Sequence, residues 1–494
     1  LGYSRSRTTI LASEIVNGSD VHIDTRQMSI QSVARQAWGS ISIAPNLGKT
    51  MDEHEIARGA MRKASLRLLP LLGLGYLVAY MDRVNISFAA LQMNADLGFN
   101  ATVYGIGGGL FFLSYALFEV PSSIFLVKIG ARRWIARIMV TWGLLAAGMI
   151  FVRTPTQFYI MRFLLGVAEA GFLPGVLFYL SSWFPNRYRG RAISRFYVAG
   201  SIAGILMGAI SGGLLSLNGL WALRGWQWLF LVQGLPAVIA ACLFLRFLPD
   251  SPAIASWLSD DERSWIAREL AQEADAIGEP PGHNIFAALA NPVVLRLGLF
   301  GLLTVGASIT FTLSAPQLLR EQTGLSAGWI GWIVSIADTL GAMGVLICGI
   351  WTDRRGERWS VMLASTAAVT VGYVAMSFAL GHMAILPVAT YFVCKFAYTF
   401  VSSSSVMLWS DLLYPRQLAV GVAAMNTMSQ IGAFAMPIAW GLAKDATGSF
   451  RVGLIGLSAV TLLAWLIAHA MARRSRPIKS LVSQEAYRLG GGSR

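Results

Sequence analysis

Apolar and polar positions along this chain are grouped in long blocks, without the short periods of soluble amphipathic helices or strands. Twelve apolar stretches, at 67–91, 102–127, 133–152, 156–182, 192–217, 226–248, 292–314, 328–352, 358–380, 384–409, 417–442 and 451–472, are separated by polar breaks. At 1.5 Å per residue, each is long enough to cross roughly 30 Å of hydrocarbon, so each is predicted to be a transmembrane helix. Twelve crossings bring both termini to one side. The pattern predicts an all-α membrane protein.

The longest internal break, from Pro249 to His283, contains SDDERSWIAREL. Ser259 and Glu262 have the spacing of a capping box opening a polar-faced helix. It divides the chain into a polar, disordered extension at 1–65, a six-helix bundle at 66–248, a linker at 249–288, a second bundle at 289–472 and a tail at 473–494. The bundles repeat at an offset of about 226 residues: LGFNATVYG from Leu97 matches TGLSAGWIG from Thr323, and GARRW at Gly130 matches GERW at Gly356. Two repeated bundles around a midplane site suit a transporter, because rocking one against the other exposes the site to each side in turn.

Composition agrees with this reading. The chain of 494 residues is 55% hydrophobic and 13% charged, which a water-soluble surface would not tolerate. The 39 basic against 25 acidic residues form clusters between spans, not a stripe interleaved with stacking aromatics, so nucleic acid is not an expected partner. Arg58, Arg62, Lys63, Lys128, Arg132, Arg133, Arg187, Arg189, Arg191, Arg354, Arg355, Arg358, Arg473, Arg474 and Arg476 all fall in breaks on one side. The positive-inside rule makes that side cytoplasmic, with both termini in it. No cleavable signal pattern precedes the first span. Cys242, Cys348 and Cys394 lie scattered in apolar stretches with no CxxC pattern, and the five histidines lie in the N-terminal extension, the linker or near span ends. Neither a zinc site nor a nucleophile pair is expected. No cofactor, metal or enzymatic activity follows from such a pattern.

Ionisable side chains deep in a bilayer are costly, so those present carry the functional expectation. Counting from the periplasmic span ends, Arg162 lies roughly 9 Å deep, Asp82 and Arg83 roughly 12–14 Å, and Glu169 roughly 20 Å. Arg162 and Glu169, seven residues apart, return to one helix face, and Tyr115 stands at the depth of Glu169 on the second span. Arg83 suits an anion anchor, since a guanidinium stays charged and grips a carboxylate with two parallel donors. Asp82 and Glu169 suit proton carriage, since a carboxyl can gain and lose a proton where an arginine cannot. Glu119, beside Pro121 near the cytoplasmic end, suits gating or pairing with loop arginines. Lys395 either pairs with Asp338, at similar depth on the eighth span, or adds a second cation for a dicarboxylate. The ladder Gly200, Gly204, Gly208 and Gly212 predicts close helix packing. GIGGG at Gly105 lacks the strand and turn of a nucleotide fingerprint.

Three groups of residues resemble a known family. In GIWTDRRGER, Gly349, Asp353, Arg354, Gly356 and Arg358 match the G-x-x-x-D-R-x-G-x-R signature of the major facilitator superfamily, whose first-half copy here is degenerate, with Val127 in place of the acid. YMDRVNISFAA at Tyr80, EVPSS at Glu119 and RFLLGVAEAGFLPG at Arg162 resemble its anion:cation symporter branch, and SRFYVAGSIAG with GWQWLFLVQGLPAV is most similar to tartrate-permease-type members. The resemblance implies substrate binding by Arg83, proton carriage by Asp82 and Glu169, and a polar substrate contact at Asn426. It also implies uptake of a small organic anion coupled to H+ or Na+. The expected substrate is a hydroxylated dicarboxylate or sugar acid; an aromatic acid, or exchange and export, are the alternatives. The expected setting is a bacterial-type inner membrane, where the chain meets lipid and works as a monomer.

Overall fold

The structure, a computed structural model, describes residues 44–277, 291–355, 358–412 and 415–490. Among these residues every regular element is helical. The helices are α1 (Ala44–Leu97), α2 (Ala101–Ile129), α3 (Ala131–Gly148), α4 (Pro155–Glu169), α5 (Phe172–Ser181), α6 (Asn186–Ser216), α7 (Gly225–Phe247), α8 (Asp260–Ile277), α9 (Pro292–Thr323), α10 (Ala327–Arg355), α11 (Arg358–Ala379), α12 (Ile385–Leu412), α13 (Pro415–Thr447) and α14 (Arg451–Gly490). Eleven spans among the described residues are long and apolar enough to cross a membrane, and α13, with 33 residues, takes the twelfth expected place. From Ala57 onward the chain forms one compact unit.

Local chemistry sets the helix ends. The side chains of Asn100 and Thr154 accept from the backbone N–H groups of Val103 and Gln157, and Asn291 does the same for Val293. Pro155 and Pro292 take first-turn positions, where the missing N–H is not needed.

Two boundaries differ from the sequence reading. Helix α1 starts at Ala44, so 44–65 is helical and not part of a disordered extension, and residues up to 43 lie outside the described set. Ala57, Ala60, Met61 and Ala64 are buried, a run of small and flexible side chains that polarity averaging hides. Helix α14 likewise runs on to Gly490, past the expected tail boundary at 473. In the linker the capping box is present: Ser259 N donates to Glu262 Oε2 at 2.8 Å and Glu262 N to Ser259 Oγ at 3.3 Å. Glu262 also takes Lys63 Nζ at 2.8 Å, which ties α8 to α1.

The halves meet chiefly along two seams, α2 with α13 and α6 with α10. Glycine permits both. Cβ atoms added at Gly105 or Gly109 would strike the carbonyls of Pro437 or Phe434, and one at Gly208 would lie 2.5 Å from both Gly331 O and Ser335 Oγ. Gly208 and Gly212 of the ladder and Gly105 and Gly109 of the GIGGG run are thus closure points, where absent side chains let backbones touch.

These contacts cluster towards one end of the bundle, here called the far face, where α1 ends and α2 begins. There Asp445 accepts from the N–H groups of Ala101 and Thr102 at 3.0 and 2.8 Å, and Arg320 and Gln317 donate to the carbonyls of Leu91 and Ala90. The opposite, basic face carries α8 and a cavity of about 350 Å³ between α1 and α6 lined by Arg58, Arg62, Arg191 and Arg195. The bundle is closed at the far face.

Candidate functional site

A cavity of about 360 Å³ lies between the halves. Its walls come from α1 (Tyr76, Tyr80, Arg83), α6 (Tyr197, Ser201), α9 (Ser308, Thr312), α10 (Asp338) and α12 (Lys395, Tyr398, Ser402). On α1, Tyr76, Tyr80 and Arg83 are four and three residues apart, so one helix face delivers all three. The seam glycines Gly208 and Gly212 seal the floor towards the far face.

Arg83 is the cation of the first half. Its Nε donates to Glu169 Oε1 at 2.7 Å, its guanidinium lies 4.9 Å from the Tyr115 ring centroid, and 26% of its side chain stays exposed to the cavity. Glu169 is fully buried, and its Oε2 has no hydrogen-bond partner among the described residues. Asp82, 1% exposed, accepts weakly from Asn85 at 3.4 Å, and its Oδ2 also lacks a partner there. Arg162, 1% exposed, donates to Gly107 O at 3.2 Å and stands over the Phe111 ring at 4.9 Å. One half-buried and one buried arginine therefore face two buried carboxylates, each with an oxygen that lacks a partner among the described residues, an arrangement that is stable only when charges match or a proton occupies the free oxygen.

The fourth span departs from a single helix immediately after Glu169. Helix α4 stops there, Ala170 is extended, Gly171 adopts φ +89°, and α5 resumes at Phe172. Pro174 explains the break, since its ring collides with the carbonyl four residues earlier, that of Ala170, and it supplies no N–H. Gly171 is needed because a side chain at that φ would be strained and its Cβ would collide with Ser122. Interrupted backbone within a span, buried in protein, is where transporters place their sites. The proline was legible; the break was not.

In the second half, Lys395 Nζ meets Asp338 Oδ1 at 2.7 Å, each side chain 19% exposed. The pairing alternative describes the observed state. Of the other expected site residues, Tyr115 and Arg162 stand behind Arg83, and Asn426 lies outside the cavity wall. Asn426 Nδ2 donates to Glu119 Oε2 at 3.1 Å, so Glu119 has an amide from the opposite half as its partner, where a loop arginine was expected. Arg358 donates to Met407 O at 3.2 Å and Gly349 lies within α10. The side chains of Asp353 and Arg354, and all of Gly356, lie outside the described residues. The four cavity tyrosines 76, 80, 197 and 398 were not singled out from sequence; the helical spacing of Tyr76 and Tyr80 to Arg83 could have found the first two and nothing local the others.

The family model described as Major Facilitator Superfamily matches residues 72–437 and, in a second match, 297–486. The chain belongs to the major facilitator superfamily. It is 40% identical over 430 residues, 85% of this chain and 93% of the other, to a protein of Agrobacterium vitis named "Putative tartrate transporter". It is 36% identical over 423 residues, 84% and 95% of the two chains, to a "Quinolone resistance transporter" of Acinetobacter baumannii. Its fold matches the inward-facing, occupied crystal structure of a bacterial homolog of the human lysosomal transporter Spinster with a TM-score of 0.68 at 14% identity, covering 82% of this chain and 96% of that one. This superfamily member is a multi-pass membrane transporter and not an enzyme.

Proposed function

We propose that this transporter takes up a small hydroxylated organic anion together with protons, with the basic face and both termini in the cytoplasm and Arg83 as substrate anchor. One observation carries the reading: the guanidinium facing the cavity is held by a buried acid, Glu169, that keeps one oxygen without a partner among the described residues. A substrate carboxylate that engages Arg83 competes with Glu169 for it, and the released acid takes a proton at the expense of a buried unpaired charge. Asp82, facing the same arginines, shares that proton with Glu169. Binding and protonation are thereby linked, which is what symport requires.

The hydroxyl-rich wall of Tyr76, Tyr80, Ser201, Ser308, Thr312 and Ser402 suits a polyhydroxylated anion. The similarity to the Agrobacterium vitis protein named for tartrate supports that substrate class. The arginines of the basic face support the orientation. Export is the second reading, favoured by the 36% identity to the quinolone resistance transporter.

The deciding experiment is uptake of radiolabelled tartrate, galactarate, phthalate and 4-hydroxyphenylacetate by the purified protein in liposomes, with and without an inward proton gradient. Accumulation of one anion only with the gradient is expected. Arg83→Ala is expected to abolish binding, and Glu169→Gln to spare binding while ending proton-driven accumulation. Normal transport by Arg83→Ala would place the anchor elsewhere, and quinolone extrusion without anion uptake would favour export.

A further inference from the structure

Two ion pairs of the same build face one cavity from opposite halves. Arg83 with Glu169 and Lys395 with Asp338 each close at 2.7 Å, and in each the cation keeps a fraction of its surface open to the shared space. The pairs differ in one respect. Glu169 is withdrawn behind its arginine, whereas Asp338 itself lines the cavity beside Lys395. An anion in the cavity therefore meets a cation on each wall, and each cation already holds a carboxylate that it can exchange.

The charge balance of the site limits what can bind. Among the groups that line the cavity or pair directly behind it, three cations, Arg83, Arg162 and Lys395, face three carboxylates, Asp82, Glu169 and Asp338; Glu119, which also senses Arg83, is bound by the Asn426 amide and stands outside this count. With every group ionised the site is neutral. A dianion placed there leaves two uncompensated negative charges away from bulk water, where charge is expensive. Two protons, one on each displaced carboxylate, restore neutrality. A monoanion engaging Arg83 needs one and leaves Lys395 with Asp338.

The groups around Asp338 fit this exchange. From α12 come Lys395 and Tyr391 and from α1 Tyr80, and α9 lines the same cavity with the uncharged Ser308 and Thr312. From α6 the neighbour is Gly204, whose missing Cβ would lie 2.8 Å from Asp338 Oδ2. Among the described residues Asp338 thus has one ion-pair partner to exchange, Lys395, and it packs against α6.

We infer that Lys395 and Asp338 form a second anion-exchange site, so that the substrate is a dianion bridging Arg83 and Lys395 and moving with two protons, one carried by Asp338. The inference rests on Arg83 as the first anchor. The transported balance is one dianion and two protons entering together, with no net charge moved.

The test uses the full-length protein in liposomes, with tartrate as the dianion and glycerate as its one-carboxylate counterpart. Proton number is read from the substrate ratio that stops net flux at imposed pH gradients, and charge from its dependence on membrane potential. For the wild type, the zero-flux tartrate ratio is expected to change about 100-fold for each tenfold proton ratio, without dependence on potential. In Asp338→Asn, which preserves shape and frees Lys395, tartrate binding is expected to hold or tighten, while the zero-flux ratio changes only about tenfold and becomes sensitive to potential. In Lys395→Gln/Asp338→Asn, which removes the pair without changing net charge, tartrate affinity is expected to fall at least about tenfold and glycerate affinity far less. Wild-type proton number in Asp338→Asn, or unchanged tartrate affinity in the double variant, overturns the second site and leaves Arg83 untouched. Loss of proton-driven uptake of neither anion on Arg83→Ala overturns the reading on which it rests.

Discussion

Replacing Gly208 with alanine tests whether the α6–α10 seam closes the far face. The new Cβ would stand 2.5 Å from Gly331 O and Ser335 Oγ and 2.9 Å from Ser335 N. Ser335 cannot swing aside without releasing its hydrogen bond to Ile205 O, which is 2.6 Å long and also crosses the seam. Relief to ordinary contact distance needs the two backbones to part by about 1 Å, and overpacking of this kind costs about 1–3 kcal/mol. If the seam opens in the alternative state, the cost falls on the closed state alone. The population ratio then moves about 5- to 150-fold towards far-face opening. Spin labels at Leu220 and Met383, exposed positions in far-face loops of opposite halves, report the change as a longer distance population. Gly213→Ala is the control, since nothing lies within 4 Å of its added Cβ. A distance distribution for Gly208→Ala that matches both wild type and Gly213→Ala would refute the seam as a closure surface.

Three further outcomes are expected. Asp445→Ala removes the carboxylate from the first N–H groups of α2 and is expected to weaken far-face closure by about 1 kcal/mol, read with the same spin labels as a shift of about fivefold. Asn426→Leu strips Glu119 of its amide donor inside the bundle, with an expected cost of about 1–3 kcal/mol and a lower melting temperature in detergent, which Glu119→Gln in the same background is expected to restore in part. In the linker, partial burial pushes the Glu262 carboxyl up, but Lys63 and the Ser259 hydrogen bonds outweigh it and hold the carboxyl below the usual range. A group with a depressed folded value stabilises above its unfolded value and loses that contribution as pH falls through the folded one. Hydrogen exchange of α8, corrected for intrinsic rates, is therefore expected to quicken below about pH 4 in wild type. In Glu262→Gln it is expected to be fast throughout.

The apolar spans, the division into two halves and the helix of the linker were legible in the amino-acid order, whereas helix ends such as Ala44, Thr323 and Gly490 lie well beyond the apolar runs. Each legible feature follows from a local rule: the length of apolar runs against the thickness of hydrocarbon, or a side chain capping its own helix. The candidate charges were legible for the same reason, since Asp82, Arg83, Glu169 and Lys395 interrupt runs where an ionisable group is costly. Sequence also named Asp338 as a partner for Lys395 from depth alone. It did not decide between that pair and a free lysine, because depth along an axis says nothing of the rotation of one helix about another.

Tertiary structure decided what depended on such rotations and on contacts between halves. Asn426 proved to face Glu119 across the α2–α13 seam, a pairing between residues 307 positions apart that no local pattern carries. The glycine ladder was readable as close packing, but the identity of its neighbour, α10 of the other half, came only with the fold. Composition determined that this chain inhabits a membrane as two helical bundles, since the cost of burying charge and backbone acts on each segment separately. Which charges share one cavity, and which face is shut, was decided only when the bundles met, since those energies belong to pairs of groups far apart along the chain.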